Sequence, residues 1–265
     1  MNNVVDFYEK YDEESRLTTN NARKIEFTIT TTILNQYIQG HDKILELGAG
    51  TGIYSFYYAD RGNDVLATDI TPKHVDIIKK KLNKRKDRIK LSAELADATD
   101  LSSYESESFD VVLCLGPMYH LVNECDRECC IKESLRVLKK GGILAIAYIN
   151  KHFILNSVMT RDKEFLTNDF VNKVLNTGTI REGEKECFWT ESFFTTPMEM
   201  EAFVAKFNAE IIDHVGTDGL SPFLKDFVDN MNEEEYATWL HYILNSCRER
   251  SILGMNNHGL LICKS

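Results

Sequence analysis

Leu45-Glu46-Leu47-Gly48-Ala49-Gly50-Thr51-Gly52 is the most informative stretch of this chain. A short apolar run of strand type begins at Lys43 and ends in three glycines spaced two apart. Glycine permits a tight turn and lets a ligand approach the backbone, and the helix that follows offers unpaired N–H groups. Two classes of cofactor use such a turn. The dinucleotide fingerprint is G-x-G-x-x-G, which requires glycine at position 53. This chain has Ile53, and its spacing is G-x-G-x-G.

Outward from the turn, short strands alternate with helices. Upstream, residues 12–39 read as one or two helices, with Ile25, Ile29, Ile33, Leu34 and Ile38 as the apolar stripe and Gly40 as a C-cap. Downstream, residues 54–61 and 72–82 read as helices, the first ended by Gly62 and the second opened by Pro72. Residues 64–68, 89–95 and 109–114 read as the second, third and fourth strands. Residues 125–138 form a helix stopped by Gly141-Gly142, and residues 143–149 a fifth, wholly apolar strand. Near-continuous apolar strands between helices mark a parallel sheet covered on both faces.

Past residue 150 the rhythm breaks. Residues 151–196 are mixed and rich in aromatics, residues 197–207 return as a helix, and residues 210–215 as a sixth strand. Residues 219–253 read as helices and residues 259–264 as a terminal strand. The expected fold is a doubly wound α/β sheet of about seven strands. Its parts are a helical segment over 1–40, a core over 41–150, a helical and aromatic cap insertion over 151–196, and the end of the sheet over 197–265. The last part carries a helical insertion at about 220–253. Insertions in these positions usually cover the C-terminal edge of the sheet, where ligands bind.

The G-x-G-x-G spacing, with Glu46 two residues before it, resembles motif I of class I S-adenosylmethionine-dependent methyltransferases. Further motifs follow in order. Asp69 ends the second strand, where the family places an acid that accepts both ribose hydroxyls, and a single carboxylate can take two O–H donors. Ile70 follows, where the family packs an apolar side chain on adenine. Asp97-Ala98 ends the third strand, where the family binds the adenine amino group. Phe109-Asp110-Val111-Val112-Leu113-Cys114-Leu115-Gly116 resembles motif IV. Leu135-Arg136-Val137-Leu138-Lys139-Lys140-Gly141-Gly142 resembles the family's entry to the fifth strand, with Lys140 where proline is usual. The match covers roughly residues 40–150 well and 195–265 more loosely.

The resemblance implies a Rossmann-like, mostly parallel sheet with an antiparallel last strand, and S-adenosylmethionine as cofactor with S-adenosylhomocysteine as product. Gly48, Ala49, Gly50 and Gly52 would hold the methionine part. Tyr54 is placed to approach it, or to pack in the core. Leu115 and Gly116 would line the cofactor, and Tyr119 and His120 the point of methyl transfer. His120 could remove a proton near neutral pH, or hold the loop by a structural hydrogen bond. In several small-molecule members an N-terminal segment folds over the cofactor, so Tyr11 and Arg16 could meet a carboxylate of cofactor or substrate. Trp189 is a possible substrate contact. Asn256, Asn257 and His258 read as turn residues. No metal is expected.

The chain has 265 residues, which at roughly 150 per domain suits one embellished domain or two small ones. Apolar residues make up 43% and charged residues 27%, which is ordinary for a soluble globular protein. No apolar run approaches the ~18 residues of a membrane helix, and the first residues lack the pattern of a signal peptide. A cytoplasmic protein is expected. Net charge is −10, which argues against a dedicated nucleic-acid binder. Residues 79–90 resist this, with eight basic residues and one acid, a net of +7 that leaves −17 for the remainder. A solvated helix face is the plain reading, and a docking patch for RNA the sharper one.

DNA amino-methyltransferases resemble one another in an Asn/Asp/Ser-Pro-Pro-aromatic motif after the fourth strand. Here the sequence is Gly116-Pro117-Met118-Tyr119, without the polar acceptor. The seven cysteines include no C-x-x-C pair, which argues against disulfides and structural zinc. Cys125, Cys129 and Cys130 could bring two thiols to one helical face, as a soft-metal site would, and ordinary reduced cysteines are the simpler expectation. The function expected is methyl transfer to a small-molecule acceptor. The alternatives are an RNA methyltransferase docking through residues 79–90, a protein methyltransferase with an open acidic groove, and a non-catalytic S-adenosylmethionine-binding module. Oligomeric state is not readable.

Overall fold

The structure is a computed structural model, and it describes residues 2–265. The apolar run before the glycine turn forms β1 (Lys43–Leu47), buried from Ile44 onward. It pairs in parallel with β2 (Asp64–Asp69) on one side and β4 (Phe109–Cys114) on the other. β3 (Leu91–Leu95) lies outside β2, and β5 (Leu138–Asn150) outside β4, both parallel. The chain winds one way from β1 to β3 and the other way from β4 to β5. The C-terminal ends of β1 and β4 therefore flank the topological switch point, where open α/β sheets bind their ligands.

Alternation along each strand sends neighbouring side chains to opposite faces. Ile44, Val111 and Leu113 pack with Ile25, Ile29 and Ile33 of α2 (Asn21–Leu34). Leu45, Leu47, Val112 and Cys114 pack with Ile131 and Val137 of α5 (Glu124–Val137). Burial on both faces is why the interiors of these strands are apolar, with Glu46 the buried exception. Between them, α3 (Ile53–Ala59) follows β1 and α4 (Pro72–Lys84) follows β2, while α1 (Asn2–Tyr8) precedes α2.

The terminal strand, β9 (His258–Lys264), runs antiparallel to β5, and β8 (Glu210–Gly216) runs antiparallel to β9. These seven strands are the expected sheet, with its antiparallel last strand. Two more are added inside residues 151–196, which were expected to be helical. There α6 (Lys151–Arg161) and α7 (Asn168–Asn176) are followed by a hairpin of β6 (Thr179–Ile180) and β7 (Ser192–Thr195). β7 extends the sheet by pairing in parallel with the end of β5, Ile149 opposite Phe194.

A second difference lies at Gly141-Gly142, expected to stop a helix. α5 ends earlier, at Val137, and Leu138 already pairs with Phe109. The register then shifts, and Ile143 pairs with Val111, so residues 139–142 stand opposite Asp110 alone, three more than the partner strand offers. Gly141 takes a φ of +74° there, the conformation a bulge demands.

The last third adds α8 (Pro197–Val204), α9 (Lys225–Asp229), α10 (Glu233–Ser246) and α11 (Arg250–Leu253). α9 and α10 dock on α2. Asp229 accepts from the Ala22 N–H at 2.9 Å, and the Tyr236 hydroxyl donates to the Asn21 carbonyl at 3.3 Å. The cysteines are free thiols, Cys125 and Cys129 exposed and Cys130 buried against Cys114 at 3.7 Å. Of the three clustered cysteines, the two spaced four apart are on the surface and the third is in the core. No helix among the described residues is long and apolar enough to cross a membrane.

Candidate functional site

A cavity opens at the C-terminal ends of the central strands. The glycine turn forms one side of it. Gly48 has a φ of +67° and is pressed against the loop after β4, where an added Cβ would stand 3.0 Å from Pro117 Cδ. A Cβ on Gly116 would stand 3.0 Å from the Gly48 carbonyl oxygen. Two backbones approach here as closely as side-chain-free residues allow. Gly52 has a different task. Its φ is +86°, and a Cβ would stand 3.0 Å from Ile78 of α4, so it serves the packing of α3 on α4 and does not line the cavity.

Asp69, 5% exposed, closes β2 and faces the turn. Its Oδ2 accepts from the Gly50 N–H at 2.7 Å and its Oδ1 from the Thr71 N–H at 2.8 Å. A carboxylate has about four lone-pair positions, so acceptor capacity remains on both oxygens. Asp97 follows β3. Its Oδ1 accepts from both the N–H and the hydroxyl of Thr99, at 2.9 and 2.8 Å, and no protein donor reaches Oδ2 among the described residues. Ile70, Ala98 and Leu115 supply apolar wall between these acids.

Glu46 reaches the cavity from β1 and is 2% exposed. Burial pushes its pKa up to about 8, while the Ser55 hydroxyl that it accepts pulls the other way. The group therefore carries a proton at neutral pH. Tyr54 lines the cavity, is buried, and packs its ring 5.2 Å from Phe27.

The opposite wall comes from the N-terminal segment. Lys73 of α4 fixes that segment by donating to the backbone oxygens of Tyr8, Glu9 and Tyr11. Arg16 lines the cavity, with Nε 2.8 Å from Glu13 Oε1 and Nη1 3.2 Å from Glu26 Oε2. Behind it, His258 Nδ1 lies 3.4 Å from Glu26 and 2.9 Å from Asp218. Burial opposes the charged imidazole, yet the two carboxylates push the His258 pKa up. Burial raises the Asp218 pKa and also opposes the charge on Glu26, but Arg16 and His258 hold Glu26 below its ordinary value. Glu26, Asp218 and His258 present ligand atoms within 4.8 Å of one another, a spacing a metal ion could use. The Arg16 guanidinium already supplies positive charge there.

The loop after β4 turns through a 3₁₀ segment, Pro117–Tyr119, and brings Tyr119 and His120 to the cavity. His120 Nε2 is 3.0 Å from the Tyr8 hydroxyl, and Nδ1 is 3.5 Å from the Glu191 carbonyl oxygen. Burial lowers its pKa to about 4. The ring is neutral at pH 7, with its two nitrogens engaged. The Tyr8–His120 hydrogen bond ties α1 to the loop after β4.

Of the residues singled out from the sequence, all line the cavity except Gly52, Tyr11 and Trp189. Tyr11 stacks on Phe7 at 5.3 Å. Trp189 lies behind the lining, 5.0 Å from His120 and 6.3 Å from Tyr119 between ring centres. Sequence reasoning missed Glu13, His74 and Tyr8 as lining residues. His74 had a signal, since the first turn of a helix after β2 must face the ligand edge. His258, read as a turn residue, instead opens β9 and joins the ion-pair chain.

An open, doubly wound sheet with a glycine turn after β1 and an acid closing β2 is the arrangement of α/β domains that bind nucleoside-bearing cofactors. Residues 45–146 match the methyltransferase-domain family Methyltransf_11. Over these residues the chain is similar to methyltransferase domains. It is 33% identical over 153 residues to a glycine/sarcosine N-methyltransferase of Aphanothece halophytica, covering 57% of this chain and 55% of that one. It is 33% identical over 109 residues to a ubiquinone biosynthesis O-methyltransferase of Pelagibacter ubique, covering 41% and 42%. The chain spans about half the length of the curated relatives it matches. A solved S-adenosylmethionine-dependent methyltransferase from Methanosarcina mazei shares the fold, with a TM-score of 0.61 at 20% identity over 88% of this chain and 96% of that one.

Proposed function

We propose that this protein transfers a methyl group from S-adenosylmethionine to a small-molecule acceptor. The observation that carries the reading is Asp69, a buried carboxylate tied to the glycine turn with acceptor capacity left on both oxygens. Vicinal ribose hydroxyls suit that arrangement, as two O–H donors side by side. The rest of the lining fits the same cofactor. Ile70, Ala98 and Leu115 offer apolar faces for a purine, and the unpaired Oδ2 of Asp97 offers an acceptor for its amino group. Arg16 is the cation on the lining that could take a carboxylate.

When bound, this cofactor supplies a methyl group made electrophilic by its sulfonium sulfur. The chain has then to orient the acceptor along the sulfur–methyl axis and keep water out. Tyr119 and His120 line the cavity and would face the acceptor, with Tyr8 bonded to His120 from the N-terminal side. His120 would act here as an acceptor of hydrogen bonds and a wall, since its low pKa makes it a weak base. The relatives include a glycine/sarcosine N-methyltransferase and a ubiquinone biosynthesis O-methyltransferase, which supports an acceptor of small-molecule size.

The test is formation of S-adenosylhomocysteine from labelled S-adenosylmethionine with a panel of small amines, amino acids and hydroxylated aromatics. Turnover with at least one acceptor is expected. Tight cofactor binding without turnover across the panel would favour a binding module.

A further inference from the structure

We propose that His74 is a further cofactor-binding residue, donating a hydrogen bond to a ribose hydroxyl whose proton is accepted by Asp69. The inference rests on the methyltransferase reading and extends it by one residue. His74 stands in the first turn of α4, a helix of 13 residues, and lines the cavity. Its side chain is 3% exposed, yet neither ring nitrogen has a hydrogen-bond partner among the described residues. Nδ1 lies 3.2 Å from Asp69 Oδ1 but outside hydrogen-bond geometry.

An imidazole carries at least one N–H in any protonation state, and a buried N–H without a partner is costly. The neighbours cannot serve it. The Tyr8 ring packs 5.4 Å away edge-on, and its hydroxyl is directed to His120 Nε2 with no bond to either His74 nitrogen. Asp69 Oδ1, although 3.2 Å from Nδ1, stands outside the angle a hydrogen bond from the ring requires. The missing partner must therefore come from the cavity.

Hydrogen-bond counting identifies its chemistry. Each hydroxyl that donates to Asp69 leaves its own oxygen free to accept. A hydroxyl seated on Asp69 Oδ1 would have His74 at its side, since nitrogen and carboxylate oxygen are 3.2 Å apart. One ribose hydroxyl would thus join the two side chains, and the unpaired histidine would be satisfied only in the loaded protein. Such a residue discriminates a ribose from a deoxyribose, because removing the hydroxyl strands both partners.

The test is calorimetric titration of the wild type, His74→Leu and His74→Gln with S-adenosylhomocysteine and with its 2′-deoxy and 3′-deoxy analogues. His74→Leu is expected to lose about threefold to tenfold in affinity for S-adenosylhomocysteine, the worth of one neutral hydrogen bond. It should lose little for the analogue lacking the bonded hydroxyl. His74→Gln, which keeps a donor, should recover part of the loss and serves if the leucine variant does not fold. Wild-type affinity in His74→Leu, as when water satisfies the ring, would overturn the inference. So would an equal loss for all three ligands, which marks a purely structural role. If the wild type itself bound none of them, the methyltransferase reading would fall and the inference with it.

Discussion

Asp69 does two things with one carboxylate. It clamps the glycine turn through Gly50 and the start of α4 through Thr71, and it keeps acceptor capacity for a ligand. Asp69→Ala should weaken S-adenosylhomocysteine binding by about 1–3 kcal/mol, the cost of losing charge-assisted bonds. Unchanged affinity in a folded variant, measured by calorimetry, would remove Asp69 from the site. Glu46 is a different kind of acid. Burial raises its folded pKa to about 8 from an ordinary value near 4.5, so the folded state holds a proton that the unfolded chain releases. Its contribution to stability is complete below pH 4.5 and is lost as pH rises through 8. Glu46→Gln cannot ionise and escapes that loss. The melting temperature of the wild type should therefore fall, relative to the variant, between pH 5 and pH 8.5 on the scale of that pKa. A gap that stays constant over this interval would contradict the assignment.

The N-terminal segment is held to the core by a few polar contacts, and the Tyr8–His120 hydrogen bond of 3.0 Å links α1 to the loop after β4. Tyr8→Phe should cost about 1 kcal/mol and speed amide exchange in α1 while leaving α2 protected. Equal protection of α1 in both proteins would show that the bond does not hold the segment. Gly52 joins α3 to α4, and its positive φ and the 3.0 Å approach to Ile78 leave no room for a side chain. Gly52→Ala should destabilise by about 1–3 kcal/mol, read as a lower denaturant midpoint, and an unchanged midpoint would count against it. These elements differ in how plainly they stand in the sequence. β1, β2 and β4 are legible because burial on both faces makes them short apolar runs bounded by turn residues. The start of β5 is not, because Gly141-Gly142 has the form of a helix stop and acts here inside a strand bulge. The β6–β7 hairpin leaves no periodic signal, since two residues of β6 cannot show one. Arg16, Glu26, Asp218 and His258 sit on four separate segments, and only the folded chain brings them together.

The whole molecule separates its charges. Lys79, Lys80, Lys84, Lys86, Arg88 and Lys90 are exposed, while Lys81 donates to the Thr51 carbonyl and Arg85 pairs with Asp60 and Asp87. α4 begins at the cavity with His74 and runs away from it, so its end and the link to β3 lie at the N-terminal edge of the strands. A macromolecule bound there would not be beside the site. Replacing Lys84, Lys86 and Arg88 with glutamate should leave S-adenosylhomocysteine affinity unchanged, and a large loss would show that the two regions are linked. Cofactor class can be read from the chain because it depends on a few backbone-fixed positions at strand ends, Gly48, Asp69 and Asp97. Under the proposed function the acceptor would meet Tyr8, Glu13, Tyr119 and their neighbours, cavity-lining residues that come from loops and the N-terminal segment and follow no fixed spacing. The central claim is that this cavity holds S-adenosylmethionine. The measurement that tests it most directly is calorimetric titration of the purified protein with S-adenosylmethionine, S-adenosylhomocysteine and NAD, each alone. Saturable binding of the first two and none of NAD is the predicted result. Binding of NAD alone would contradict it.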